Sequence, residues 1–165
     1  MPAVDANLRL HGFPHVIFSY AVHLARVEVD ELTGQVTVCD YLTINDCGQI
    51  INPQIFAGQQ EGAVAQGLGY ALSEDALSSR GHLQTTDLTT YIVPTAADLP
   101  EIKTLTVPAA EHSGPFGLKG AGEIGIDAPA PAVANAVFDA CGLRLCRFPL
   151  TAERVLGALS IRSAP

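Results

Sequence analysis

The sequence predicts an α+β fold, an antiparallel hairpin and sheet with about three packed helices, forming a single domain over residues 1–165. Three observations carry this. Apolar residues between positions 16 and 46 recur with a period of two on either side of a glycine-containing turn. Three later segments carry helix start signals. Hairpin strands come first and helices are interspersed afterwards, as in α+β folds and unlike a regular βαβ alternation.

The elements follow in chain order. In "VIFSYAVHLARVEVDELTGQVTVCDYLTIND", Val27 and Val29 alternate with Glu28 and Asp30, and Val36 and Val38 flank Thr37. "DELTGQ", with Gly34, supplies the turn of an antiparallel hairpin. Asn52-Pro53 then opens a helix expected to run to about Leu72. Asparagine caps free backbone N–H groups, and proline suits the first position, where its missing N–H is not needed. That helix contains Gly58, Gly62, Gly67 and Gly69, each costing about 1 kcal/mol relative to alanine, so packing or ligand contact must compensate. "HLQTTDLTTYIVP" and "EIKTLTVPA" read as further strands. Val133, Val137, Ala140 and Cys141 form a helical stripe, with Pro131 near the start and Gly142 placed to end it. "LRLCRF" reads as a short strand. "LTAERVLGALS" reads as a final helix capped by Thr151, with Leu150 and Val155 at staple spacing.

Composition narrows the function. The chain is 48% apolar and only 16% charged, so it folds, and so little charge suggests that part of its exterior meets another subunit. A net charge of −8 argues against nucleic acid or an anionic membrane as partner, because phosphate binding needs a basic face. No apolar run reaches the roughly 18 residues of a bilayer span. The N-terminal "MPAVDANLRLHGF" has no basic region followed by an apolar stretch, which leaves the cytoplasm as the expected compartment. Cys39, Cys47, Cys141 and Cys146 form no CxxC pair and match no zinc or iron–sulfur pattern. They read as small buried thiols in a reducing compartment.

The informative stretch is "GPFGLKGAGEIG", which surrounds one carboxylate, Glu123, with five glycines in twelve residues. Glycine is costly to order, so this backbone is expected to turn sharply or to be approached closely. Its GxGxxG lettering is a weak match to a dinucleotide fingerprint. A turn-rich segment precedes it where a strand is required, and the next helix begins late. A phosphate loop is excluded because Gly120 follows Lys119 where a serine or threonine must stand. Glu111-His112-Ser113 are chain neighbours, unlike a triad converging through space, and Gly12 and Pro14 spoil the helix that His11 and His15 would need as metal ligands. On the long helix, Gln59, Gly62 and Gln66 share a face. Two amide heads flanked by absent side chains could grip a flat heterocycle edged with donors and acceptors; packing on a neighbour, with the amides in solvent, is the alternative. Lys119 and Glu123 are four apart, but Gly120 and Gly122 argue against a helical ion pair. Glu123 therefore lies in a loop, where a closed cavity would make such an acid a better base.

Together, "INPQIFAGQQEGAVAQGLGYALSED", "GPFGLKGAGEIG" and "APAPAVANAVFDACGLRLCRFPLTAERVLGAL" resemble the C-terminal end of the molybdenum-binding large subunit of the xanthine dehydrogenase/aldehyde oxidase family, from about Phe13 to Leu159. The three motifs stand in the family's order and spacing. The resemblance implies that Glu123, the glutamate of the GxGE motif, is the catalytic base beside the molybdenum. Gln59, of the GQxEG motif, would contact the molybdopterin. Gly62, Gln66, Lys119, Gly120, Ala121 and Gly122 would complete this chain's share of the cofactor pocket, with no direct metal ligand. It further implies hydroxylation of an aldehyde or an N-heteroaromatic carbon, with molybdenum held by molybdopterin or its cytosine dinucleotide. Electrons would leave through [2Fe–2S] clusters, often to FAD, on other chains or domains.

A large subunit of that family is several times longer. The earlier cofactor-binding loops and the iron–sulfur cysteines are not in this sequence. The chain is thus expected to act only with partners: the remainder of the large subunit, an iron–sulfur subunit and an FAD subunit. It reads as a C-terminal piece or split subunit, the alternative being a truncated, non-catalytic interaction module. The substrate, aldehyde, purine or other N-heterocycle, is left open.

Overall fold

The structure, a computed structural model, describes residues 3–4, 10–11 and 17–162. The short strands β1 (Ala3–Val4) and β2 (Leu10–His11) pair with each other. The main sheet begins with β3 (Tyr20–Val29) and β4 (Val36–Asp46), antiparallel as the alternation predicted, with a register shift at Arg26/Val27. Gly34 makes their turn at φ 76°, beneath the last helix, where a side chain would have no room. A Cβ there would stand 2.7 Å from the Leu156 nitrogen.

From β4 the chain enters α1 (Pro53–Leu72), with the Asn52 side chain accepting from the Ile55 N–H at 3.1 Å and Pro53 at the first position. It then passes the small hairpin of β5 (Ser78–Ser79) and β6 (His82–Leu83) and returns as β7 (Glu101–Thr106), parallel to β4. Parallel neighbours need a long crossover, and α1 lies within it. The sheet order is β3-β4-β7. α2 (Pro129–Cys141) ends at Gly142 in the left-handed region, and α3 (Ala152–Arg162) follows. Thr151 caps α3 by accepting from the Arg154 N–H at 3.3 Å. Leu150 and Val155 are both buried.

α2 packs on β3 and α1. Its buried stripe is Val133, Ala134, Val137 and Cys141; Ala140, counted in the predicted stripe, is exposed. The core unites these with Tyr41, Val64, Leu68, Leu143, Val155 and Leu159. Gly67 is where α1 and α2 touch, since a Cβ there would lie 2.5 Å from the Pro129 ring. The four cysteines are all free; Cys47 and Cys141 are buried as expected, but Cys39 is only partly covered and Cys146, in the irregular segment after α2, is exposed. The outer sheet face leaves Tyr20, Val22 and Leu24 more than half exposed.

Two predicted strands are absent. Of "HLQTTDLTTYIVP", only His82–Leu83 is strand. The Asp87 carboxylate accepts from the N–H groups of Thr89 and Thr90 (3.0 and 3.2 Å) and from their hydroxyls. These local bonds fold the chain into a turn and compete with any ladder. "LRLCRF" is irregular. Leu143 drops into the core, while Arg144 turns back to bond Asn135 at 2.8 Å and stack on Phe138, so the segment follows α2 and not a strand partner.

The inner sheet face holds a polar chain among these apolar residues. Tyr41 donates to His23 Nδ1 at 2.8 Å, and His23 Nε2–H donates to the Thr43 hydroxyl at 3.1 Å. Thr43 donates to Asn45 Oδ1 at 3.2 Å, and Asn45 donates to the Leu105 carbonyl at 3.4 Å. With this direction of donation His23 is neutral with hydrogen on Nε2, and its Nδ1 accepts from Tyr41. Burial lowers the His23 pKa below its ordinary value, against the raising influence of Asp127.

Two predictions follow from this packing. Leu68→Ala removes a side chain that is 3% exposed and is expected to cost about 2–5 kcal/mol, read as a lower denaturation midpoint at unchanged slope. Because the folded state holds His23 neutral, the unfolded state binds more protons below about pH 6.5, so stability is present above that pH and falls as pH drops toward the lowered folded pKa. A denaturation series between pH 7 and pH 5 should show this slope, and His23→Gln should flatten it.

Candidate functional site

The site is built where the glycine-rich loop crosses one face of α1. Three consecutive carbonyls of that loop are each held by a side chain. Ser19 Oγ donates to the Gly120 carbonyl, Gln60 Nε2 to that of Ala121 at 3.2 Å, and Gln59 Nε2 to that of Gly122 at 2.7 Å. Gly125 closes the contact from below, where a Cβ would sit 2.7 Å from that of Ala63 and 2.8 Å from Gln60 Oε1. Glu123 follows the three pinned carbonyls, and its own carbonyl accepts from the Ile126 N–H at 3.0 Å. The Glu123 side chain is exposed on this chain.

Gly58, Gln59, Gly62 and Gln66 from α1 and Gly122 and Glu123 from the loop together line a cleft of about 210 Å³. The residues whose helical spacing and motif singled them out therefore converge. On the other side of Gln59 lies an apolar hollow of about 370 Å³ whose walls include Ile51, Ile55, Phe56, Leu118 and Lys119. A hollow of about 410 Å³ against β4 and the end of α1 holds none of the expected site residues. Its one charged group, Asp98, is committed to the N–H and hydroxyl of Thr95.

The glycines around the cleft divide by what surrounds them. A Cβ at Gly58, Gly62, Gly120 or Gly122 would meet nothing within 4 Å, and none of the four has a positive φ. Among the described residues, neither backbone conformation nor packing requires glycine at these four positions. Gly67 and Gly125, by contrast, are filled from within. Bare backbone opens onto the cleft from both walls.

Lys119, expected in the cofactor pocket, lines the hollow beside Gln59 and is tied to β4. Its ammonium bonds Asp46 at 2.8 Å, is mostly covered, and lies 5.4 Å from the Tyr20 ring centre. Its N–H donates to the Cys47 carbonyl at 3.1 Å. The pair holds Asp46 below the usual carboxylate range and Lys119 above its ordinary value, in each case chiefly through their shared hydrogen bond. Lys119 thus ties the loop to β4, and no ion pair with Glu123 forms. Burial also raises the neighbouring Cys47 thiol.

The rejected motifs lack the geometry their lettering would require. Glu111 accepts from the Ser113 N–H and hydroxyl at 3.0 and 2.6 Å, a local turn. The GxGxxG segment has no strand leading into it, only a single bridge between Leu118 and Gly48, and α2 starts at Pro129. His15 lies outside the described residues, among which no group of three or more His, Cys, Asp or Glu could hold a metal. Ser19, Asp46 and Gln60 are neighbours of the loop that the motifs did not reveal. For Gln60 the available signal was its place beside Gln59, with the two amides on different faces of one helix.

Comparison with known proteins gives this geometry a context. The model of the molybdopterin cofactor-binding domain family matches residues 5–100, a span that includes the α1 wall of the cleft. The chain is 36% identical over 148 residues to the "Probable hypoxanthine oxidase XdhD" of Escherichia coli, covering 88% of this chain and 16% of that protein. It is 40% identical over 148 residues to the nicotine 6-hydroxylase large subunit of Paenarthrobacter nicotinovorans, covering 86% and 18%. Among solved structures, the aldehyde oxidoreductase of Desulfovibrio gigas superposes with a TM-score of 0.79 at 35% identity, over 86% of this chain and 15% of that one. The chain therefore spans less than a fifth of the length of each of these relatives. No helix among the described residues is long and apolar enough to cross a membrane. With its α+β core, its glycine-lined cleft and a family match across more than half its length, the chain belongs to the molybdopterin cofactor-binding domain family, in the xanthine dehydrogenase/aldehyde oxidase group.

Proposed function

We propose that this chain works as a C-terminal piece or split subunit of a molybdenum hydroxylase, contributing the base Glu123 and one wall of the molybdopterin pocket. The observation that carries this reading is that Gly58, Gly62 and Gly122, on both walls of the Glu123 cleft, and the adjoining Gly120 face space that no described residue fills. Bare backbone that the chain itself does not fill suits a bulky planar group approaching from outside, and the amide-bearing walls suit a pterin edged with donors and acceptors.

Gln59 spends one amide proton on the Gly122 carbonyl. Its second N–H and its oxygen remain for the pterin, with Gln66 beside it along the same face. Gly62, Gly120, Ala121 and Gly122 let that group lie against main chain. Lys119, tied to Asp46, braces the loop from behind. When bound, the molybdenum–pterin group supplies the redox chemistry of hydroxylation. Glu123 accepts the proton released as oxygen is delivered to the substrate carbon, and a carboxylate on a loop pinned through its backbone is held ready to do so.

Substrates of the aldehyde or N-heteroaromatic class agree with the names of the relatives. On this reading the remainder of a molybdenum-binding subunit covers the cleft, and [2Fe–2S] and FAD centres on further chains or domains take the electrons.

The test is co-expression with the complementary subunits, followed by assay of molybdenum, pterin and turnover. Glu123→Gln is expected to lower kcat/KM by about 10²–10⁴-fold at unchanged molybdenum content. Turnover within a factor of a few of the parent would overturn the role of Glu123. A stable monomer that acquires neither metal nor pterin in any such combination would overturn the assignment as a whole, in favour of an interaction module.

A further inference from the structure

We propose that Ser19 and Gln60 are positioning residues, whose hydrogen bonds to consecutive loop carbonyls hold the Glu123 carboxylate at the cleft. The inference rests on the reading of Glu123 as base and adds two residues to it.

The loop has little to hold it apart from these side chains. Backbone hydrogen bonds flank it, from Lys119 N–H to the Cys47 carbonyl and from Ile126 N–H to the Glu123 carbonyl. Among the described residues, no backbone–backbone bond outside helices and strands uses the N–H or carbonyl groups of Gly120, Ala121 or Gly122. Two of those three residues are glycine, so the unrestrained segment would sample a wide range of conformations. What restrains it is one side-chain donor per carbonyl, from Ser19, Gln60 and Gln59. Gln59 stands in the cleft and faces the cofactor side. Ser19, just before β3, and Gln60, on α1, do not line the cleft.

Gln60 is the telling member. It is fully buried, yet its Oε1 has no hydrogen-bond partner among the described residues. An orphaned buried acceptor is a cost, and an apolar side chain of similar length would avoid it. The amide earns its place through its other end, the bond to Ala121. Ser19 fixes the adjacent carbonyl from the sheet side, so the loop is anchored to both of the layers it crosses. Gly125 lets the loop descend onto Gln60 and Ala63 without a side chain between them.

Gln60→Met keeps the volume and removes the donor. Ser19→Ala, at a half-covered position, removes a donor with little risk to folding. In the full chain, each variant is expected to speed hydrogen exchange at the Lys119 and Ile126 amides roughly three- to tenfold, the loss of about one hydrogen bond, at a nearly unchanged denaturation midpoint. In the assembled enzyme, kcat is expected to fall roughly tenfold to a hundredfold, with KM and molybdenum content held, since small displacements of a reacting group are costly. Exchange at both amides and kcat within about twofold of the parent in both variants would overturn the proposal. Loss of turnover in Glu123→Gln alongside that result would leave the base standing without its bracket. Faster exchange in Gln60→Met and Ser19→Ala beside a harmless Glu123→Gln would uphold the bracket and remove the base.

Discussion

The structure depends on how a segment with almost no backbone hydrogen bonding of its own is kept in one place. Three successive carbonyls, those of Gly120, Ala121 and Gly122, point to three side-chain donors from two different layers of the fold. A loop rich in glycine loses more conformational freedom on ordering than other loops, and here specific polar contacts offset that cost. The neighbouring Lys119–Asp46 pair, most of it covered, adds a charge-assisted tie to β4. The result is an exposed carboxylate mounted on immobilised main chain, an arrangement suited to acting on something that arrives from outside.

The glycines make the same point in another way. Gly67 is demanded by the meeting of two helices and Gly125 by the descent of the loop onto α1, and both are filled by neighbours within the chain. Among the described residues, Gly58 and Gly62 face no neighbour that a side chain would meet, and neither do Gly120 and Gly122. Each helical glycine lowers the intrinsic stability of α1 by about 1 kcal/mol. The fold therefore tolerates two weak positions in its longest helix where its own packing gains nothing. Such a concession belongs to a surface shaped for a partner group, and it agrees with a chain that matches less than a fifth of each relative's length.

Behind the site, the inner sheet face stiffens the platform. The relay from Tyr41 through His23, Thr43 and Asn45 to the Leu105 carbonyl passes one hydrogen bond from each member to the next and runs across all three strands. A satisfied polar chain of this kind specifies one arrangement where an apolar layer could slide. Its acceptance of a neutral histidine couples the platform to pH through the same burial that makes the relay rigid.

Local signals were enough for much of the architecture. The period-two runs on either side of Gly34, the Asn52-Pro53 start of α1, the Gly142 stop of α2 and the Thr151 cap of α3 are encoded within a few residues of where they act, and all appear as read. Motif order likewise marked Glu123, Gln59, Gly62 and Gln66 as a set. Asp87 shows where local reading failed: β-prone residues around it suggested a strand, but its carboxylate captures the following N–H groups and folds a turn. Ala140 had helical spacing but lies beyond the covered edge of its stripe. Only the folded chain brought Asp46 to Lys119, 73 positions away, and Ser19 and Gln60 to Gly120 and Ala121, 101 and 61 positions away. The sequence alone determined the hairpin and the three helices and singled out the acid as a candidate, because hydrogen-bonding and periodic preferences act over short spans. The tertiary structure decided where that acid stands and which glycines are left unfilled, because both depend on atoms that only packing can bring together.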